Sequence, residues 1–107
     1  MKRANRKRKA ETFERAYGGT DRVLFVKSLP CSVLGCGNHP SENAHVGVDH
    51  GMGRKGDADT IIPLCEAHHK EYHAAGRDSF ATKYRVDYSY HAHLTEMAWS
   101  MVDPEAK

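Results

Sequence analysis

The stretch Pro63-Leu64-Cys65-Glu66-Ala67-His68-His69-Lys70-Glu71-Tyr72-His73 constrains this chain more than any other. It puts one Cys and three His within nine residues. Side chains three and four positions apart share one face of a helix. At that spacing Cys65 and His68 can meet one metal ion, and His69 and His73 can meet another. Most other unusual polar residues upstream read as partners for these four.

Three cysteines is an odd count. Beside clustered histidines it points to metal ligation in a reducing compartment rather than to a disulfide framework. A chain of 107 residues makes one small domain with a limited core, which favours an external staple. No apolar run reaches the ~18 residues of a membrane span. The basic N-terminus lacks the apolar stretch of a secretory signal. The expectation is a cytoplasmic protein, a monomer or weak dimer, with no membrane partner.

The net charge of +2 is unevenly spread: residues 1–15 carry seven Lys/Arg and two Glu, leaving −3 on the rest. Lys2, Arg3, Arg6, Lys7, Arg8 and Lys9 therefore form a basic arm suited to a polyanion such as nucleic acid. Residues 1–11 are too charged to fold alone. Their Lys, Arg and Ala content suits a helix formed on a phosphate backbone. Phe13, Ala16 and Tyr17 sit at helical spacing and can dock the arm, and Gly18-Gly19 ends it. The arm is thus assigned to residues 1–19 and the domain to 20–107.

Thr20 reads as an N-cap for a helix from Asp21 to Leu29, with Val23, Leu24, Phe25, Val26 and Leu29 as its apolar set; the short apolar run Val23 to Val26 also fits a strand, and the helix is the favoured reading. Pro30 ends it. Cys31 and Cys36 follow in a tight turn closed by Gly37, the pattern of a zinc knuckle. With Cys65 and His68 they make a four-ligand Cys/Cys/Cys/His set, the closed shell of structural Zn²⁺. Ala44 to Val48 reads as a short strand and Thr60 to Leu64 as a second. Between them lies a glycine-rich loop with Arg54 and Lys55 at its tip, placed for phosphate contact. A helix is expected from Cys65 to Ala75, stopped by Gly76. A short amphipathic turn or helix follows over Arg77 to Val86. A last helix covers Ser89 to Val102, with Leu94, Met97, Ala98 and Met101 as its apolar stripe. His91 and His93 read as packing or surface residues.

His69 and His73 remain after the structural site is assigned. Two imidazoles at i, i+4 can bind one divalent ion and leave positions open for water and substrate, as a catalytic site requires. Mg²⁺, Mn²⁺, Zn²⁺ and Ni²⁺ are the cations considered.

The order of these residues resembles a known family. Cys31 and Cys36, then Ala44-His45-Val46, then Ile62-Pro63-Leu64-Cys65-x-x-His68-His69-x-x-x-His73 look like the HNH, or ββα-metal, endonucleases. Within them the chain is most similar to the phage Ref-like recombination nucleases and related small phage HNH proteins, which share a loop like Gly51-Met52-Gly53-Arg54-Lys55. The resemblance covers about residues 22 to 80. It implies a small α+β protein: a zinc-stapled treble clef containing a ββα-metal unit, flanked by N- and C-terminal helices. It also implies metal-dependent hydrolysis of DNA, single- or double-stranded, in recombination, replication or processing. A recombinase filament is a further implied partner, and a phage-encoded protein would work in the bacterial host's cytoplasm.

Carried over by position, His45 matches the general base, and His69 and His73 match the helix ligands of the catalytic cation. Two departures stand out. Ala44 occupies the position of a third metal ligand, for which Asp49 and His50 are substitutes from the loop, or His45 is itself the ligand. The Asn that orients the base-bearing loop is replaced, with Thr60 and Asp57 as its stand-ins. The competing expectation is a catalytically silent treble-clef zinc protein that binds DNA or RNA through its basic arm.

Overall fold

A computed structural model describes residues 2–46 and 57–102. Its elements run α1 (Lys2–Tyr17), α2 (Thr20–Lys27), β1 (Ser41–His45), a 3₁₀ turn (Ala58–Thr60), β2 (Ile61–Cys65), α3 (Glu66–Ala75), α4 (Arg77–Tyr84) and α5 (Tyr88–Val102). The architecture is small α+β, with a two-stranded antiparallel sheet that leads directly into α3. No helix among the described residues is long and apolar enough to cross a membrane.

The basic arm is helical from Lys2 to Tyr17. Gly18 and Gly19 follow with φ of +79° and +104°. A Cβ on Gly18 would lie 2.5 Å from Arg22 Cδ, so any other residue there would both strain the backbone and push Arg22 away. The N-cap of α2 is Gly19, not Thr20, and no side chain caps the helix. Of the apolar set expected on α2, Val26 is fully buried while Leu24 is exposed.

β1 and β2 pair with Ser41 opposite Cys65, Asn43 opposite Pro63 and His45 opposite Ile61. β1 begins three residues before its expected start and ends at His45, although the Val46 N–H still bonds the Thr60 carbonyl at 3.0 Å. All five residues of β2 are buried, including Pro63. A proline is tolerated there because its backbone edge faces away from β1. Its carbonyl instead accepts the Ser32 N–H and the Ser32 hydroxyl, each at 2.8 Å. The sheet edge is thereby tied to the Cys31–Cys36 turn.

Strand alternation puts Glu42, Ala44 and Val46 on the side of α3, and Ser41, Asn43 and His45 on the side of α1 and α2. Of the first set, Ala44 and Val46 meet Ile62, Leu64, Tyr72, Phe80, Val86, Tyr88 and Ala92 in one apolar cluster that also contains Cys31 and Cys65. Full burial of Leu64, Ile62 or Phe80 stabilises the fold by roughly 1.5–3 kcal/mol each. Tyr72 meets Phe80 and Tyr88 edge-on, with centroids 5.6 and 5.8 Å apart. The second set is held by polar bonds: Ser41 Oγ donates to the Leu29 carbonyl at 2.7 Å, and Asn43 Nδ2 to the Val23 carbonyl at 3.2 Å.

α5 buries a different face from the expected stripe. Tyr88, Ala92 and Thr95 turn inward, whereas Leu94, Met97 and Met101 are 41, 49 and 82% exposed. Ala92 admits a close helix–sheet approach, Trp99 packs on Phe25 at 5.4 Å, and Glu96 pairs with the buried Arg22 of α2. Those partners outweigh the apolarity of Leu94 and the two methionines.

Candidate metal centre

Cys31 and Cys36 are brought together by a turn closed by main-chain hydrogen bonds and two glycines. The Cys36 N–H bonds the Val33 carbonyl and the Cys31 N–H bonds the Asn38 carbonyl, both at 3.0 Å. Gly35 and Gly37 supply the positive φ angles, +82° and +64°. Cys65 ends β2 and serves as the N-cap of α3, so His68 lies one turn above it on the same face.

The four donor atoms of Cys31, Cys36, Cys65 and His68 lie within 4.8 Å of one another. His68 Nδ1 is 3.3 Å from Cys65 Sγ and 3.5 Å from Cys31 Sγ, and the Cys36 and Cys65 sulfurs are 4.0 Å apart. A tetrahedral ion with Zn–S of about 2.3 Å and Zn–N of about 2.0–2.1 Å needs edges of about 3.8 Å between sulfurs and about 3.6 Å from sulfur to nitrogen. The four residues fit a structural metal such as zinc in both donor chemistry and spacing. The His68 ring is boxed by Tyr84 and Phe80, edge-on at 4.9 and 6.4 Å.

Electrostatics differ between the thiols. Burial pushes the Cys31 thiol up to about 11, against the pull of the Cys65 and Val33 N–H groups and with the help of neighbouring Cys65. Burial also acts to raise Cys65. Hydrogen bonds from the His68 and Ala67 N–H groups and from the Cys31 and Cys36 side chains outweigh it and hold Cys65 below its ordinary value. A thiol at a helix N-terminus gains this way because the first N–H groups have no partner inside the helix.

On the next face of α3, His69 Nε2 and His73 Nε2 stand 3.1 Å apart. Two nitrogens that each bond one ion at about 2.0–2.1 Å lie roughly 3.0–3.4 Å apart, so this pair also suits a shared cation. His69 Nδ1 meets Glu42 Oε1 at 2.7 Å. Glu42 is the residue that sequence reasoning missed. Its signal was strand parity: it lies two residues before Ala44 on the same side of β1, in a stretch not recognised as strand.

His45 is not brought to this pair. Its Nε2 lies 2.6 Å from the Ala16 carbonyl at the end of α1, and its ring meets Tyr17 edge-on at 4.9 Å. The expected grouping of His45 with His69 and His73 is thus divided between two sides of the sheet, because adjacent strand positions alternate. Thr60 is fully buried; its hydroxyl donates to the Asp57 carbonyl at 2.7 Å and its own carbonyl holds the Val46 N–H. It therefore ties together the two ends of the segment between residues 46 and 57. The Asp57 carboxylate lies 3.9 Å from Arg15 Nε. Asp49, His50, Arg54 and Lys55 lie outside the described residues, as do the side chains of Lys2, Arg3, Arg6, Lys7 and Arg8. Lys9 is exposed on α1.

No curated protein and no solved structure matches the chain. One family model does, over residues 6–101, a span that includes every described residue of both histidine and cysteine clusters. On that match the chain belongs to DUF968, a protein family of unknown function.

Proposed function

We propose that this protein is a metal-dependent DNA endonuclease of the HNH type, with a treble-clef zinc site as its staple. The observation that carries the reading is the division of labour along α3. Its first turn supplies Cys65 and His68 to a closed Cys/Cys/Cys/His set, and the next face offers His69 and His73 as a two-nitrogen pair. An antiparallel β1–β2 hairpin precedes that helix, which is the ββα order of the proposed family. A closed set suits folding, and a pair with open positions suits chemistry.

A divalent cation on His69 and His73 would polarise the scissile phosphate and stabilise the leaving 3′ oxygen. The chain's own part is then to supply a base and hold the nucleic acid. With Nε2–H bonded to the Ala16 carbonyl, His45 keeps its lone pair on Nδ1. His45 stands on the other side of β1 from His69 and His73, so that nitrogen would take a proton from the attacking water only where the bound nucleic acid brings the water to the α1 side of the strand. The basic helix α1 would grip the phosphate backbone, and no covalent nucleophile is needed.

Plasmid nicking in Mg²⁺, Mn²⁺, Zn²⁺ or Ni²⁺ tests the reading. His69→Ala and His73→Ala are expected to lose cleavage while keeping one zinc per chain. Cleavage by both variants at the unaltered protein's rate overturns it.

Two observations favour a second reading, a zinc protein that binds DNA or RNA through α1 and does not cut. Ala44 stands where the family has a metal ligand, and His45 is bonded to the arm rather than to the His69–His73 pair. Retained nucleic-acid binding without nicking in any of the four metals would favour it.

A further inference from the structure

Glu42 and His69 meet across the gap between β1 and α3, and the chemistry of that contact sets the state of the histidine. A carboxylate accepts hydrogen bonds and does not donate them, so the 2.7 Å bond to Oε1 places the proton on His69 Nδ1. The lone pair is then left on Nε2, the atom that faces His73 Nε2 at 3.1 Å. We propose that Glu42 is the positioning residue of a His69–His73 metal site, fixing the tautomer and ring orientation that present His69 Nε2 to the ion. The proposal rests on the reading that these two histidines hold a divalent cation.

The two nitrogens of an imidazole point away from one another. An ion shared by His69 Nε2 and His73 Nε2 therefore sits on the far side of the ring from Glu42. Glu42 acts through His69 and is not itself a ligand. Metal-bound histidines commonly give their second N–H to a carboxylate, which raises the basicity of the ligating nitrogen and holds the ring still. The geometry here supplies that arrangement from two independent elements. α3 sets the i, i+4 spacing of the histidines, and strand parity brings Glu42 to the α3 side of β1. The His69 side chain is 20% exposed and Glu42 46%, so the contact sits at the rim of the fold, where open coordination positions reach solvent. Ala44, one step further along the same strand side, is too short to reach a metal, so the strand meets the site through the carboxylate of Glu42.

The test uses full-length protein loaded with one zinc and titrated with Ni²⁺ by calorimetry, beside ¹⁵N–¹H long-range spectra of the imidazoles. The unaltered protein is expected to take one Ni²⁺, and neither His69→Ala nor His73→Ala is expected to take any. Glu42→Ala is expected to bind Ni²⁺ 10–100-fold more weakly and to lose the Nδ1–H signature of His69. Glu42→Gln, which keeps an accepting oxygen, is expected to restore that signature and part of the affinity. Full zinc content and an unchanged melting midpoint identify each variant as folded. If the histidine variants lose Ni²⁺ but Glu42→Ala binds it normally with the tautomer intact, Glu42 is not the positioning residue and the metal pair stands. If the histidine variants bind Ni²⁺ normally, the metal pair fails and this inference fails with it.

Discussion

His45 Nε2 lies 2.6 Å from the carbonyl oxygen of Ala16, a bond that joins β1 to the last turn of a helix 29 residues earlier. The carbonyls of a helix's last turn have no partner inside the helix and carry its partial negative charge. Ala16 thus offers an acceptor that fixes the His45 tautomer with its proton on Nε2. His45→Ala removes one partly buried hydrogen bond and the edge contact with Tyr17. A loss of about 1 kcal/mol is expected in chemical denaturation, with zinc content unchanged. Under the endonuclease reading the same variant nicks plasmid at least about 100-fold more slowly. Nicking at the normal rate would remove His45 from the role of base.

Arg22 is 2% exposed and reaches Glu96 of α5, while its Nη1 is among the buried atoms with no hydrogen-bond partner. One carboxylate therefore supports a buried cation, and α2 and α5 are joined through it. Glu96→Ala strands that charge and is expected to cost about 3 kcal/mol, the low end for a broken buried pair because Glu96 is itself partly solvated. Glu96→Gln keeps an acceptor and is expected to cost less than half as much. Urea midpoints of the two variants decide the point. Equal midpoints for Ala and Gln would mean the pair contributes nothing beyond packing.

Cys31 is buried among the four clustered ligands, with its thiol held high by that burial. Such a group must lose its proton to bind a metal, so under the structural-zinc reading metal and fold would depend on each other. Cys31→Ser is expected to purify with less than one zinc per chain and to lose its cooperative melting transition. Chelation of the unaltered protein is expected to do the same. A Cys31→Ser protein with full zinc and a normal melting midpoint would separate the cluster from stability.

The cysteine cluster was legible because its logic is local. Cys31 and Cys36 share one turn and Cys65 and His68 one helical turn, so spacing alone groups them in pairs. Two other features were hidden by tertiary partners. The Ser41-Glu42-Asn43 run does not look like a strand, since its polar side chains bond the main chain around α2 or His69 rather than enter an apolar core. On α5, apolarity marked Leu94, Met97 and Met101, yet the helix turns Tyr88, Ala92 and Thr95 inward. Periodicity reports which side chains prefer burial, not which face finds a neighbour. The position of Glu96 was set by Arg22, and no local pattern around either residue reveals the other.

The arm makes the last prediction separable from the rest. Residues 2–9 contain six of the seven basic residues in the first fifteen, and they lie upstream of Ala16 and Tyr17, which contact His45. Deleting them leaves the docked end of α1 in place. Zinc content and the melting midpoint are therefore expected to hold while DNA affinity falls. The slope of log affinity against log salt should become shallower by about 0.9 for each phosphate that is no longer neutralised, up to about 5 if all the deleted cations touch phosphate. Fluorescence anisotropy on a duplex across roughly 50–200 mM salt reads this directly. An unchanged slope would assign DNA binding to another surface, and a lower slope with nicking intact would mark α1 as a grip that does not take part in cleavage.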